Sequence, residues 1–113
     1  MGITFGTDGW RAILNEDFTP NNVERVTLAI GKYVKDIFGY KKPILVGYDP
    51  RTKADEYSEL CANLLKNKGF AIYYSSGIVP TPVLAYNANI RNACAIMFTA
   101  SHNHPEYLGM KFI

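Results

Sequence analysis

Ala93-Cys94-Ala95-Ile96-Met97-Phe98-Thr99-Ala100-Ser101-His102-Asn103-His104-Pro105-Glu106 changes character halfway along. Its first six residues are small or apolar, with the length and bulk of a buried strand. Then come a hydroxyl, an imidazole, an amide, a second imidazole, a proline and a carboxylate, and the ammonium of Lys111 stands ten residues past Ser101. A chain leaving a buried strand needs a turn, but not ionisable groups at that density. In open α/β sheets, ligands bind in the crevice beyond the carboxyl ends of the strands. Ser101 therefore reads as a nucleophile or phosphate carrier, with His102 and Lys111 as proton-handling or charge-balancing neighbours. The plain alternative is a polar turn with a capping serine.

Working outward, the rest of the chain alternates strand and helix. Ile3-Thr4-Phe5 and Trp10 to Leu14 are short extended pieces around the turn Gly6-Thr7-Asp8-Gly9. Thr19-Pro20 predicts a capped helix start, and Val23, Val26, Ile30, Tyr33, Val34 and Ile37 keep helical spacing until Gly39. Pro43 to Tyr48 is apolar on both faces, as a central parallel strand is, and runs into Asp49-Pro50-Arg51. Thr52 with Asp55 predicts a capping box for a helix closing at Gly69. Phe70 to Tyr74 is the next strand. Thr81-Pro82 repeats the threonine-cap device and opens a short helix to about Ala88. The closing strand from Met110 follows only a loop, so it is expected antiparallel to its predecessor.

This alternation predicts one three-layer α/β/α domain over residues 1–113, with a mainly parallel mixed sheet and an antiparallel closing strand. Three polar segments then follow carboxyl ends of strands: Asp49 with Arg51, the loop from Gly77 to Thr81, and the serine loop. In a parallel sheet those ends share one edge, and that edge is the expected site.

At 113 residues the chain can bury a real core without staples, and a formal charge of +2 is too mild to argue for nucleic acid or an acidic membrane surface. The two cysteines, Cys61 and Cys94, fall on predicted apolar faces and read as core residues of a reducing compartment. The first residues lack the pattern of a signal peptide and no apolar run reaches membrane-spanning length, so a cytoplasmic location is expected. The sequence stops inside what reads as a strand, Gly109 to Ile113, which suggests a piece of a longer protein.

Phe5-Gly6-Thr7-Asp8-Gly9-Trp10-Arg11, Gly47-Tyr48-Asp49-Pro50-Arg51, Gly77-Ile78-Val79-Pro80-Thr81-Pro82 and the serine stretch together resemble the N-terminal domain of the alpha-D-phosphohexomutases, the phosphoglucomutases and phosphomannomutases. Thr99-Ala100-Ser101-His102-Asn103 is the most specific of these matches, and its threonine-first form leans towards phosphoglucomutase/phosphomannomutase rather than phosphoglucosamine mutase. The resemblance implies that Ser101 is carried as phosphoserine. It would give its phosphoryl group to a hydroxyl of a hexose phosphate and take the other one back from the hexose bisphosphate. Arg11 and Lys111 would face the phosphoserine, with Lys111 moving the hydroxyl proton and His102 supporting it. Thr7, Asn103, Asp49 and Arg51 are the implied phosphate- or substrate-binding residues. A magnesium ion would be bound through the phosphate on Ser101, its aspartate ligands lying in another domain. The implied partners are hexose phosphates, the bisphosphate and the remaining domains, without nucleic acid or membrane; this chain alone is expected to be inactive.

Each of these residues has a plainer reading. Arg11 could stack on Trp10, Lys111 could guard a sheet edge, Asp49 could cap a turn, and Thr81 reads as a helix cap alone. His102 and His104 form a His-x-His pair without nearby carboxylate or cysteine ligands at useful spacing. Two positions depart from the family pattern: His104 replaces a usual proline, and Leu108 replaces a turn residue before Gly109. The expected result is an altered turn there, with fast amide exchange from His102 to Leu108. A non-catalytic sugar-phosphate module and a serine hydrolase are the rival functions. The hydrolase lacks a Gly-x-Ser-x-Gly elbow.

Overall fold

The computed structural model describes residues 9–99 and 106–113. The elements are β1 (Trp10–Ile13), α1 (Pro20–Phe38), β2 (Ile44–Tyr48), α2 (Ala54–Asn67), β3 (Ile72–Tyr74), α3 (Thr81–Ile90), β4 (Cys94–Phe98) and β5 (Tyr107–Phe112). They form an α/β/α domain around one five-stranded sheet of order β1-β5-β4-β2-β3. β2 pairs in parallel with β3 and β4, whereas β5 runs antiparallel to both β4 and β1. Only β5 is reversed, so the expectation of a mixed sheet with an antiparallel closing strand holds.

β4 is central, and every one of its residues is buried. Its alternating side chains divide between two cores. Cys94, Ile96 and Phe98 join the larger one, under α1 and α2; Ala95 and Met97 join the smaller one, under α3. Among the described residues twenty make the first cluster and five the second, so apolar burial on the α1/α2 side dominates the stability of the sheet. There Trp10 stacks on Phe18 with ring centroids 4.7 Å apart, and Tyr57 meets Phe18 edge-on at 5.0 Å. On the other side α3 packs over β2 and β4. Gly47 of β2 makes this possible, since a Cβ there would lie 2.7 Å from Val79 Cγ1.

The first helix follows its sequence signals. Thr19 accepts from the Asn22 N–H at 3.4 Å, Pro20 opens the helix, and Gly39 ends it at φ 69°. Its outer residues Tyr33 and Ile37 are exposed despite their helical spacing, with Tyr33 edge-on to Phe112.

Three local expectations are corrected. α2 is not opened by a Thr52–Asp55 capping box: its N-cap is Lys53, in the left-handed region at φ 64°, with no side-chain cap bond. The turn closed by Ala54 N–H to Arg51 O, 3.1 Å, sets that entry instead. Thr81 is not the cap of α3 but its first residue; Pro80 is the N-cap, and the helix runs on to Ile90. The Val79 N–H, held by the Tyr48 carbonyl at 2.9 Å, delivers Pro80 to that position. Leu108 lies in no turn: it is fully buried in β5, opposite Ala12. Among the described residues, no helix is long and apolar enough to cross a membrane.

Candidate functional site

β2, β3 and β4 run the same way, so their carboxyl ends share one edge. Backbone hydrogen bonds draw the following loops together there. The Asp49 N–H donates to Phe98 O at 3.2 Å, and Val79 N–H donates to Tyr48 O. The segment between β4 and β5 leaves and returns at the same edge with both stems anchored. The Thr99 N–H donates to Gly109 O at 3.0 Å, and Glu106 O accepts from Leu14 N–H at 2.8 Å. Thr99 is itself buried.

Arg11 and Lys111 lie on one face of the sheet. Arg11 is directly opposite Gly109, and Lys111 is two residues further along β5, so the two cations are diagonal neighbours. Lys111 is also opposite Met97 of β4, whose side chain belongs to the core under α3. The cations therefore sit on α3's face of the sheet, beside that helix and level with the end of β4. Both are half-buried. Two cations held so close on one shelf favour an anion there.

This placement removes two plain readings. Trp10 packs on Phe18 on the opposite face, so Arg11 does not stack on it. Lys111 guards no edge, because β5 is flanked by β1 and β4.

Asp49 and Arg51 are tied into the same edge. Asp49 Oδ1 accepts from the Arg51 N–H at 3.0 Å, closing a short side-chain turn. Arg51 Nη1 then reaches the Tyr107 carbonyl at 3.4 Å, beside the returning stem of the serine segment. Thr7, Ser101, His102 and Asn103, like the His102–His104 pair, lie outside the described residues. Among the described residues, no group of three His, Cys, Asp or Glu side chains could hold a metal. The sequence reading used Thr99 only as the first residue of the serine motif and Gly109 only as the start of the closing strand; here Gly109 lies opposite Arg11 and its carbonyl accepts from the Thr99 N–H. A glycine inside an apolar strand was the available signal.

Neither cysteine offers a reactive thiol. Burial pushes the Cys61 thiol up to about 12 and also raises that of Cys94, with Lys42 partly opposing the latter shift. Open grooves of about 410 Å³ beside α1 and about 320 Å³ beside β3 contain neither Arg11 nor Lys111.

Comparison with known proteins gives this geometry a family. Residues 2–113 match the family described as phosphoglucomutase/phosphomannomutase, alpha/beta/alpha domain I. The chain is 37% identical to a phosphoglucosamine/phosphogalactosamine mutase of Sulfurisphaera tokodaii, over 100% of this chain and 24% of that protein. It is 35% identical to a phosphoglucosamine mutase of Finegoldia magna, over 99% of this chain and 24% of the relative. A solved structure from Thermus thermophilus, provisionally described as a phosphomannomutase, superposes with a TM-score of 0.92 at 35% identity, over 97% of this chain and 25% of that one. The chain thus spans about a quarter of the length of these relatives. A fold of this order and a match across nearly every residue leave one assignment: the chain belongs to the phosphoglucomutase/phosphomannomutase family, the alpha-D-phosphohexomutases, and corresponds to its alpha/beta/alpha domain I.

Proposed function

We propose that this chain is the phosphoserine-carrying domain of a longer phosphosugar mutase. The observation that carries the reading is the pairing of Arg11 and Lys111 on one sheet face, level with the end of β4, from which the chain runs on to Ser101. A phosphoserine there bears a charge of about −1.5 to −2, which two adjacent cations would balance. In the proposed reaction the bond from Ser101 Oγ to phosphorus breaks as a hexose phosphate hydroxyl bonds to that phosphorus. The Lys111 ammonium gives a proton to the leaving Ser101 Oγ, and the amine so formed takes up the hydroxyl's proton, with His102 supporting the transfer. The resulting bisphosphate returns its other phosphoryl group to Ser101, restoring the carrier. Phosphoryl transfer asks the protein for positioning and charge stabilisation, the roles proposed for Arg11 and Arg51, with Thr7, Asn103 and Asp49 binding phosphate or substrate.

The family resemblance also implies magnesium. The described residues cannot hold it unaided, so this chain's contribution would be the phosphate oxygens on Ser101, and charge neutralisation is the chemistry the ion would supply. The sugar is proposed only as a hexose phosphate. The threonine-first motif favours glucose or mannose phosphate, whereas the Sulfurisphaera and Finegoldia relatives are amino-sugar phosphate mutases.

The test uses the longer protein containing this domain. After incubation with a hexose bisphosphate, intact mass should rise by one phosphate, mapped to Ser101. Activity retained by Ser101→Ala, with phosphate on another residue, would overturn the proposal. Relative kcat/KM on glucose, mannose and glucosamine phosphates would assign the sugar. The 113-residue chain alone should show no appreciable turnover.

A further inference from the structure

Gly109 is a glycine for a reason other than backbone conformation, since its φ is not among the positive values. Space decides it. The bond from Leu14 N–H to Glu106 O fixes the phase of the β1–β5 ladder. Arg11 and Gly109 are thereby a non-hydrogen-bonded pair, the kind in which facing residues come closest, with Cα atoms about 4.5 Å apart. On its other flank Gly109 O accepts from Thr99 N–H. A Cβ added to Gly109 would lie 2.7 Å from Arg11 Cγ, 2.5 Å from the Trp10 carbonyl oxygen and 2.9 Å from the Thr99 carbonyl oxygen. A side chain at position 109 would therefore meet the stem of Arg11 as well as two backbone oxygens, one from β1 and one from the end of β4.

We infer that Gly109 is a positioning residue: its missing side chain gives Arg11 a backbone floor to lie on, which keeps the guanidinium low over the sheet at the exit of β4. A methyl group at 109 would lift Arg11 away from that exit. The consequence for phosphate rests on the proposed role of Arg11 opposite Ser101; the placement of Arg11 does not.

The test uses this chain with Ser101 replaced by phosphoserine, in four forms: otherwise unchanged, Arg11→Ala, Gly109→Ala, and Ile96→Val. The last trims the core on the opposite face of β4 and controls for general loosening. Two signals are read, the Arg11 Nε–Hε NMR resonance, assigned by its loss in Arg11→Ala, and the phosphorus NMR titration of the phosphoserine. Gly109→Ala should move the Arg11 resonance and raise the phosphate's second pKa nearly as far as Arg11→Ala does, on the order of one unit. Ile96→Val should change neither. An unmoved Arg11 resonance in Gly109→Ala overturns the inference. If Arg11→Ala itself leaves the titration unchanged, the proposed function loses Arg11 as the phosphate's partner, and the resonance still decides the role of Gly109. Should Gly109→Ala fold poorly, the substitution is repeated in Arg11→Ala. A smaller loss of stability there supports the inference, and an equal loss, including failure to fold in both, overturns it.

Discussion

The guanidinium of Arg51 donates through Nη1 to the carbonyl of Tyr107, 3.4 Å away and 56 residues along the chain. The loop after β2 is thereby tied to the first residue of β5, and Asp49 holds the backbone of Arg51 in place for it. Asp49→Ala should cost about 1 kcal/mol in urea denaturation and speed amide exchange at Tyr107 and Leu108. Asp49→Asn keeps an acceptor at Oδ1 and should cost less than half as much. Equal effects from the two would mean that charge, rather than the turn, is what Asp49 supplies.

Cys61 should make the fold sensitive to alkali. Burial raises its thiol from 9.0 to about 12, so the folded chain keeps a proton that the unfolded chain releases. The stability linked to this group is intact below pH 9 and is lost as pH rises from 9 towards 12, by about 1.4 kcal/mol per unit where only the unfolded thiol is ionised. Tyr57 and Tyr74 are shifted upwards as well, mainly by burial, and add to the loss above pH 10. Urea midpoints from about pH 8 to about pH 10.5 should therefore fall less steeply in Cys61→Ala than in the parent.

Thr27 is fully buried in α1, and its hydroxyl has no hydrogen-bond partner among the described residues. The Cys61 thiol is near enough to feel it but does not meet hydrogen-bond geometry. Thr27→Val exchanges that hydroxyl for a methyl group of the same shape and should stabilise the protein by about 1 kcal/mol. A loss of stability in thermal or urea unfolding would show that the hydroxyl is satisfied in solution.

Leu108 is where reading the sequence against a family pattern misled. The family pattern puts a turn residue at this position, yet β5 begins at Tyr107 and Leu108 fills the core beside Trp10 and Met110. Leu108→Asn, which would suit a turn, should instead cost about 3 kcal/mol or more, because it leaves a cavity and buries an amide. The Leu108 amide should exchange as slowly as those of β4, contrary to the fast exchange expected from sequence. A near-neutral Leu108→Asn would restore the turn.

Legibility followed the range of the interactions. β2 and β4 were readable because burial on both faces writes an uninterrupted apolar run, and α1 because its caps lie within a few residues of its ends. The starts of α2 and α3 were each misread by one residue. The α2 entry is set by the turn that Ala54 N–H closes on Arg51 O and the α3 entry by Val79 bonding to Tyr48, backbone pairings that the side-chain pattern does not display. The shared edge of the candidate site was legible from strand order alone. That Arg11 and Lys111 lie on one face was not, because it depends on the register of β1 against β5.

That register also sets an order of events. Among the described residues β5 is seated between β1 and β4 and is the strand that β1 pairs with, so Trp10 meets Met110 across one hundred residues of chain. β2, β3 and β4 can pair through helical crossovers as they emerge during synthesis, whereas β1, made before them, meets β5 only after all three. Until then the edge of β1 that β5 covers is open to pairing with other strands. Trp10 is the sole tryptophan, so its fluorescence in a refolding experiment reports the final closure of the sheet rather than its nucleation.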